Sequence, residues 1–306
     1  MNTCALATPF VLGLLAVAVP LDTTSLLNSA TDWTLRRQGL LGDRRVSQAY
    51  GSHDRQRADV YLPPEGLQAP AGGWPMVVFF YGGSWRSGER GDYAFVGRSL
   101  AARGMVVVVA DYRLHPEVRY PEFIEDSAQA VAWAWQQAGE WQVNRRRVFV
   151  MGHSAGAYNA AMVALDARWL AQHNLQPSVL AGFIGLAGPY NFLPLRVDSL
   201  KPVFGFPQTP ADSQPVLHAH ASAPPSWLFT AAADSFVSAT LNTDSLAYRL
   251  RSVGAQVETR SMPRTSHITL VAALASPMRW LSPVLDEVSG IVVGEPLAEP
   301  GLLTQP

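Results

Sequence analysis

An apolar run, Arg147-Val148-Phe149-Val150-Met151, passes straight into Gly152-His153-Ser154-Ala155-Gly156 and then into a helix-like segment. That succession constrains the chain more than any other feature. G-x-S-x-G between a strand and a helix reads as a nucleophile elbow, a tight turn that exposes the serine hydroxyl at a sheet edge. A side chain at 152 or 156 would collide with the neighbouring strand or helix as the backbone folds back, so the glycines are sterically required. The helix N-terminus beneath Ser154 also favours negative charge developing on a substrate oxygen. Taken alone, the motif also fits a small-residue strand-turn-helix connection with an incidental serine. Its surroundings decide between the two.

Upstream, Met76-Val77-Val78-Phe79-Phe80 leads into Tyr81-Gly82-Gly83-Ser84-Trp85. A continuous apolar run suits a fully buried parallel strand, and the glycine pair lets backbone N–H groups approach a ligand closely. Acyl transfer needs such donors, because its tetrahedral intermediate carries an oxyanion. The donors expected are the N–H groups of Gly83 and Ser84, with Gly82 as a further candidate, together with Ala155 just after the serine. An ordinary tight turn at Gly82-Gly83 is the plain alternative.

A carboxylate ends a third apolar run, Trp227-Leu228-Phe229-Thr230-Ala231-Ala232-Ala233-Asp234. Sites of open α/β sheets lie outside the carboxyl ends of the strands, where an Asp can hold an imidazole in its working tautomer. Asp244 is the rival acid, but it falls in Leu241–Leu250, which reads as a helix. The plain alternative is that Asp234 simply caps the next helix. Of the seven histidines, only His267 follows Asp234, as the order Ser, then acid, then His requires in this elbow class. It follows a strand-like stretch, Gln256–Arg260, and is expected to open the final helix. His153 is read as packing beside the serine, and His53, His115 and His173 as loop or surface positions. His218 and His220 have H-x-H spacing, but no Cys or carboxylate cluster completes a metal site. Neither metal nor organic cofactor is expected.

At 306 residues, with 48% hydrophobic and 15% charged content, the chain is long enough for one large core. A net charge of -1 without a basic run argues against binding a polyanion such as nucleic acid. Cys4 is the only cysteine, so no intrachain disulfide forms. Around it, Pro9–Leu21 is apolar but short for a transmembrane helix, and Ala16-Val17-Ala18 offers a cleavage site of the secretory type. The first 34 residues contain no Lys or Arg, so the basic start of a signal peptide is missing. Export to the periplasm or beyond is the expectation, with a cytoplasmic location as the alternative. Any membrane association is expected only through this segment.

Residues 1–32 are thus set apart as an N-terminal apolar segment, 33–294 as the main domain and 295–306 as a Pro-rich tail. Within the domain, strands are expected at Val46–Tyr50, Ala58–Leu62, Met76–Phe80, Met105–Ala110 and Ala181–Ala187. Helices are expected at Tyr93–Arg103, Ile124–Ala138 and Tyr158–His173. The alternation predicts a mostly parallel sheet covered on both faces. Residues 190–226, rich in Pro, Ala and Ser, are expected to form a loop or small cap over the cleft. Trp85, Tyr190 and Phe192 are candidates to line that cleft, and each equally fits a core aromatic.

With these pieces placed, the chain resembles the α/β-hydrolase superfamily, particularly bacterial carboxylesterases related to the hormone-sensitive-lipase and arylformamidase branches. The likeness runs from about Val46 to Leu285. It rests on Tyr81–Trp85, Asp111-Tyr112-Arg113-Leu114, Gly152–Gly156, Asp234 and His267. The resemblance implies an α/β-hydrolase fold, a mostly parallel central sheet flanked by helices with a small cap, and a serine hydrolase acting on small-molecule esters. In that reading Ser154 is the nucleophile, His267 the base and Asp234 its orienting acid. Relatives usually carry His-Gly-Gly where this chain has Tyr81-Gly82-Gly83. That histidine helps to hold the oxyanion loop, and a tyrosine can hydrogen-bond while packing its ring. The Asp111–Leu114 motif reads as a brace for the turn after its strand, with Arg113 as a lesser candidate for a substrate clamp. An arylformamidase-type amidase and a non-catalytic ligand-binding protein of the same fold are the alternatives.

Overall fold

The computed structural model describes residues 21–294, so the apolar segment around Ala16-Val17-Ala18 and the 295–306 tail lie outside the described residues. Among the described residues, eight strands form one sheet in the order β1-β2-β4-β3-β5-β6-β7-β8. They are β1 (Arg44–Ala49), β2 (Arg57–Tyr61), β3 (Trp74–Phe80), β4 (Val106–Ala110), β5 (Val143–His153), β6 (Gly182–Leu186), β7 (Ser226–Ala231) and β8 (Val257–Met262). The pairs β1–β2 and β2–β4 are antiparallel, and every pair from β4 to β8 is parallel. Every residue of β3, β4 and β6 is buried. Apolar runs such as Val106-Val107-Val108-Val109 therefore lack alternation because helices cover both faces of the sheet.

The helices are α1 (Leu21–Arg37), α2 (Ala94–Ala101), α3 (Glu122–Gln137), α4 (Ala155–Leu165), α5 (Ala167–Ala171), α6 (Ser245–Ser252), α7 (His267–Ala272) and α8 (Val284–Val293). The stretch expected as one helix over Tyr158–His173 is broken at Asp166, whose backbone is extended and whose side chain caps α5 by accepting from the Arg168 N–H. His267 opens α7 as expected. However, α8 follows it, so α7 is not the final helix. Helix α1 crosses the 32/33 boundary and is docked on the body. Asn28 accepts from the Phe95 N–H at 2.7 Å and donates to the Gly91 carbonyl at 2.9 Å. Residues 190–226 fold as a loop with short 3-10 turns at 198–200, 211–213 and 215–218. Among the described residues, no helix is long and apolar enough to cross a membrane.

Candidate active site

The parallel strands end at one edge of the sheet, and the candidate residues gather there. Ser154 sits between β5 and α4 with φ 54° and ψ -123°, a left-handed conformation that side chains rarely adopt. Its N–H is held by the Leu186 carbonyl at 2.9 Å, which ties the turn to the end of β6. A Cβ at Gly152 would run into the Gly156 backbone, and one at Gly156 into the Phe80 and Tyr81 carbonyls. Both glycines of the motif are therefore required by close backbone approach.

His267 Nε2 lies 2.8 Å from Ser154 Oγ, and His267 Nδ1 lies 2.8 Å from Asp234 Oδ2. A carboxylate only accepts, so Nδ1 carries the proton and Nε2 presents its lone pair to the serine hydroxyl. That is the tautomer a general base needs. Burial pushes the Asp234 carboxyl up. The hydrogen bond and charge of His267, with the N–H groups of Val237 and Phe236, outweigh it and hold the carboxyl below its ordinary value. Asp234 thus stays ionised beside the imidazole. His267 is held at the first position of α7, where Ser266 and Thr269 form a reciprocal capping box. Asp244, the rival acid, is exposed on the approach to α6.

The cavity above Ser154 encloses about 130 Å³, and Gly83, Ser84 and Ala155 line it. Ala155 is the first residue of α4, so its N–H has no acceptor within the helix. Gly83 has φ +131°, and its carbonyl accepts from the N–H groups of Arg86 and Ser87, folding the loop into a tight turn. Gly82 does not line the cavity. A Cβ there would lie 2.9 Å from Ser154 Cβ, so this glycine serves the close approach of the two loops rather than the rim.

Trp85 and Phe192 line the cavity as expected. Trp85 is pinned by its indole N–H, which donates to Asn159 Oδ1 at 2.8 Å. Tyr190 does not reach the cavity and is corrected to a core residue. It is fully buried, its ring packs edge-on against Phe183, and it fills the space left by Gly185 and Gly188. Val197 and Leu200 of the 190–226 loop, and Phe236 and Val237 after the acid, also line the cavity. No local pattern marks these four residues, because long-range packing brings them to the cleft.

Tyr81 is fully buried between the rings of Tyr93 and Tyr112. Its hydroxyl donates to Asp111 Oδ1 at 2.8 Å and accepts from Arg55 at 2.7 Å. Arg55 also donates to the carbonyls of Tyr112 and Gly88, bridging the strand end to the far side of the oxyanion loop. Tyr112 in turn donates to the Tyr81 carbonyl at 2.8 Å. The Asp111–Leu114 motif is a brace, and Arg113 is bound to Asp126 by a fork of hydrogen bonds away from the cavity. His218 lies 2.6 Å from the Asp212 carbonyl, while His220 lies 3.1 Å from Ser222 Oγ. Among the described residues, no group of three or more His, Cys, Asp or Glu is placed to hold a metal ion.

A model of the BD-FAE family matches residues 58–248. A probable isoprenylcysteine alpha-carbonyl methylesterase from Oryza sativa subsp. japonica is 33% identical over 156 residues, covering 49% of this chain and 35% of the relative. The match thus spans about a third of that relative's length. A kynurenine formamidase from Salmo salar is 24% identical over 268 residues, covering 84% of this chain and 85% of the relative. Among solved structures, the propionate-bound esterase Est2 of Thermogutta terrifontis superposes with a TM-score of 0.67 at 24% identity. That match covers 85% of this chain and 97% of the other. This likeness agrees with the α/β-hydrolase topology of the sheet.

Proposed function

Because this chain belongs to the BD-FAE family, within the α/β-hydrolases, we propose that it is a serine carboxylesterase working through an acyl-enzyme intermediate. Its substrates are small to medium carboxylic esters. His267 Nε2 takes the proton of Ser154 Oγ as the oxygen attacks the ester carbonyl carbon, and Asp234 stabilises the imidazolium. The carbonyl oxygen becomes an oxyanion held by the N–H groups of Gly83, Ser84 and Ala155. The bond to the alcohol oxygen then breaks, His267 returns its proton to that oxygen, and the acyl group stays on Ser154. Water, deprotonated by the same imidazole, releases the acid and restores the serine.

The observation that carries this reading is the continuous hydrogen-bonded line from Asp234 through His267 to Ser154. A cavity of about 130 Å³ falls below the roughly 300–1,000 Å³ of sites that enclose drug-sized ligands, which favours small esters. A fluorophosphonate probe tests the reading. The expected result is covalent labelling at Ser154, located by mass spectrometry of the digested protein. Absence of labelling rejects it in favour of a binding protein of the same fold, and labelling elsewhere rejects Ser154 as the nucleophile.

Hydrolysis of aryl formamides is the second reading. The observation favouring it is the Salmo salar formamidase, which aligns along most of this chain. Export is proposed from the apolar run Pro9–Leu21 and from Ala16-Val17-Ala18. A mature N-terminus near Val19 supports it, and an intact Met1 refutes it.

A further inference from the structure

The reaction itself distinguishes two sides of the cavity. The leaving oxygen must come within hydrogen-bond reach of His267 Nε2 to recover a proton. The alcohol portion of an ester therefore lies against the His267 side, which leaves the acyl chain the remaining space, lined by Trp85 and Phe192. On the acyl side Trp85 is only 2% exposed, whereas on the His267 side Phe236 is 38% exposed. The Phe236 ring centroid is 5.4 Å from that of His267. Its backbone is fixed, because the N–H groups of Phe236 and Val237 both donate to Asp234 Oδ1, at 2.8 and 2.9 Å. One carboxylate thus orients the imidazole through Oδ2 and sets the position of this aromatic through Oδ1.

We propose that Phe236 is the alcohol-side selectivity residue, an apolar platform that favours esters of apolar or aromatic alcohols over esters of polar alcohols. The inference rests on the serine-esterase reading and names the substrate class of that site. An apolar alcohol covers part of the Phe236 ring and removes both surfaces from water. A polar alcohol there loses water and gains little in return, since the side chains of Phe236 and Val237 offer no polar atom. The Asn242 amide, which also lines the cavity, is engaged by the Tyr190 and Asn191 N–H groups and the Ser238 carbonyl. Edge or face contact with a second ring adds to the preference.

The test compares benzyl acetate with 2-methoxyethyl acetate, which share the acyl group and differ in the apolarity of the alcohol. Active sites are counted by fluorophosphonate titration. Phe236→Ala is expected to lower the ratio of kcat/KM for benzyl over methoxyethyl ester by about 3- to 10-fold. Phe236→Tyr is expected to keep the ratio, and the methyl butyrate to methyl acetate ratio is expected to stay at its wild-type value in both variants. An unchanged benzyl preference in Phe236→Ala overturns the proposal. Equal loss on both esters also overturns it, since the ring would then only support Asp234 and His267. Wild-type protein that takes no fluorophosphonate label and cleaves neither ester overturns the esterase reading itself.

Discussion

His153 Nε2 lies 2.9 Å from the backbone carbonyl oxygen of His267, so the residue before the nucleophile holds the backbone of the base. A carbonyl oxygen only accepts, which places the His153 proton on Nε2 and leaves Nδ1 facing Gly82. The ring stays neutral. Burial, and then the charge of His267, push its pKa from 6.5 down to about 3.

This neutral burial has a consequence for stability. The folded pKa lies below the unfolded one, so the stabilisation is complete above about pH 6.5 and is lost as the pH falls toward 3. The slope for one such group approaches about 1.4 kcal/mol per pH unit. His153→Gln keeps a donor toward the His267 carbonyl and removes the titration. Between pH 6.5 and 4, chemical unfolding of the wild type should lose stability more steeply than that of the variant. Parallel slopes would show that His153 titrates normally in the folded protein.

Tyr81 gives a kinetic prediction. Tyr81→Phe leaves the ring stacked on Tyr93 and Tyr112 and removes the hydroxyl shared by Arg55 and Asp111. The lost hydrogen bonds are worth about 1–3 kcal/mol of stability, because Arg55 and Asp111 are charged. Arg55 also holds the Gly88 carbonyl, so the oxyanion loop loosens and kcat should fall with little change in KM. An unchanged kcat would mean that the ring packs and the hydroxyl is idle.

Ester and amide chemistry should separate in one preparation. An amide nitrogen must be protonated as the intermediate collapses, whereas an activated aryl alcohol leaves with little help. The kcat/KM for phenyl acetate is therefore expected to exceed that for N-formylkynurenine. Equal efficiency would favour the formamidase reading.

What the amino-acid sequence revealed and what it hid divide along a physical line. The elbow was legible because Gly152 answers to the Gly156 backbone within the turn itself, although Gly156 answers to the Phe80 and Tyr81 carbonyls of the neighbouring strand end. The order of Ser154, Asp234 and His267 was legible because the three follow β5, β7 and β8 in turn, parallel strands that end at the same edge of the sheet. Tyr190 and Phe192 are two residues apart in one loop, and nothing local separates them. One fills the space over Gly185 and Gly188, while the other meets Trp85. At Gly82 the need for glycine comes from the approach to Ser154, a contact between two loops that no local pattern in the sequence marks. Phe236 stood in plain view after Asp234, but its place in the cavity depends on where β7 and α7 put Asp234 and His267.

The central claim is that Ser154 is the nucleophile of this site. The most direct measurement is kcat for phenyl acetate with Ser154→Ala beside the wild type, both checked for the same fold by circular dichroism. The expected result is a loss of several orders of magnitude, with a residual rate from binding and the oxyanion hole. A folded variant keeping more than about a tenth of wild-type kcat would contradict the claim, since that loss is far smaller than removal of a nucleophile produces.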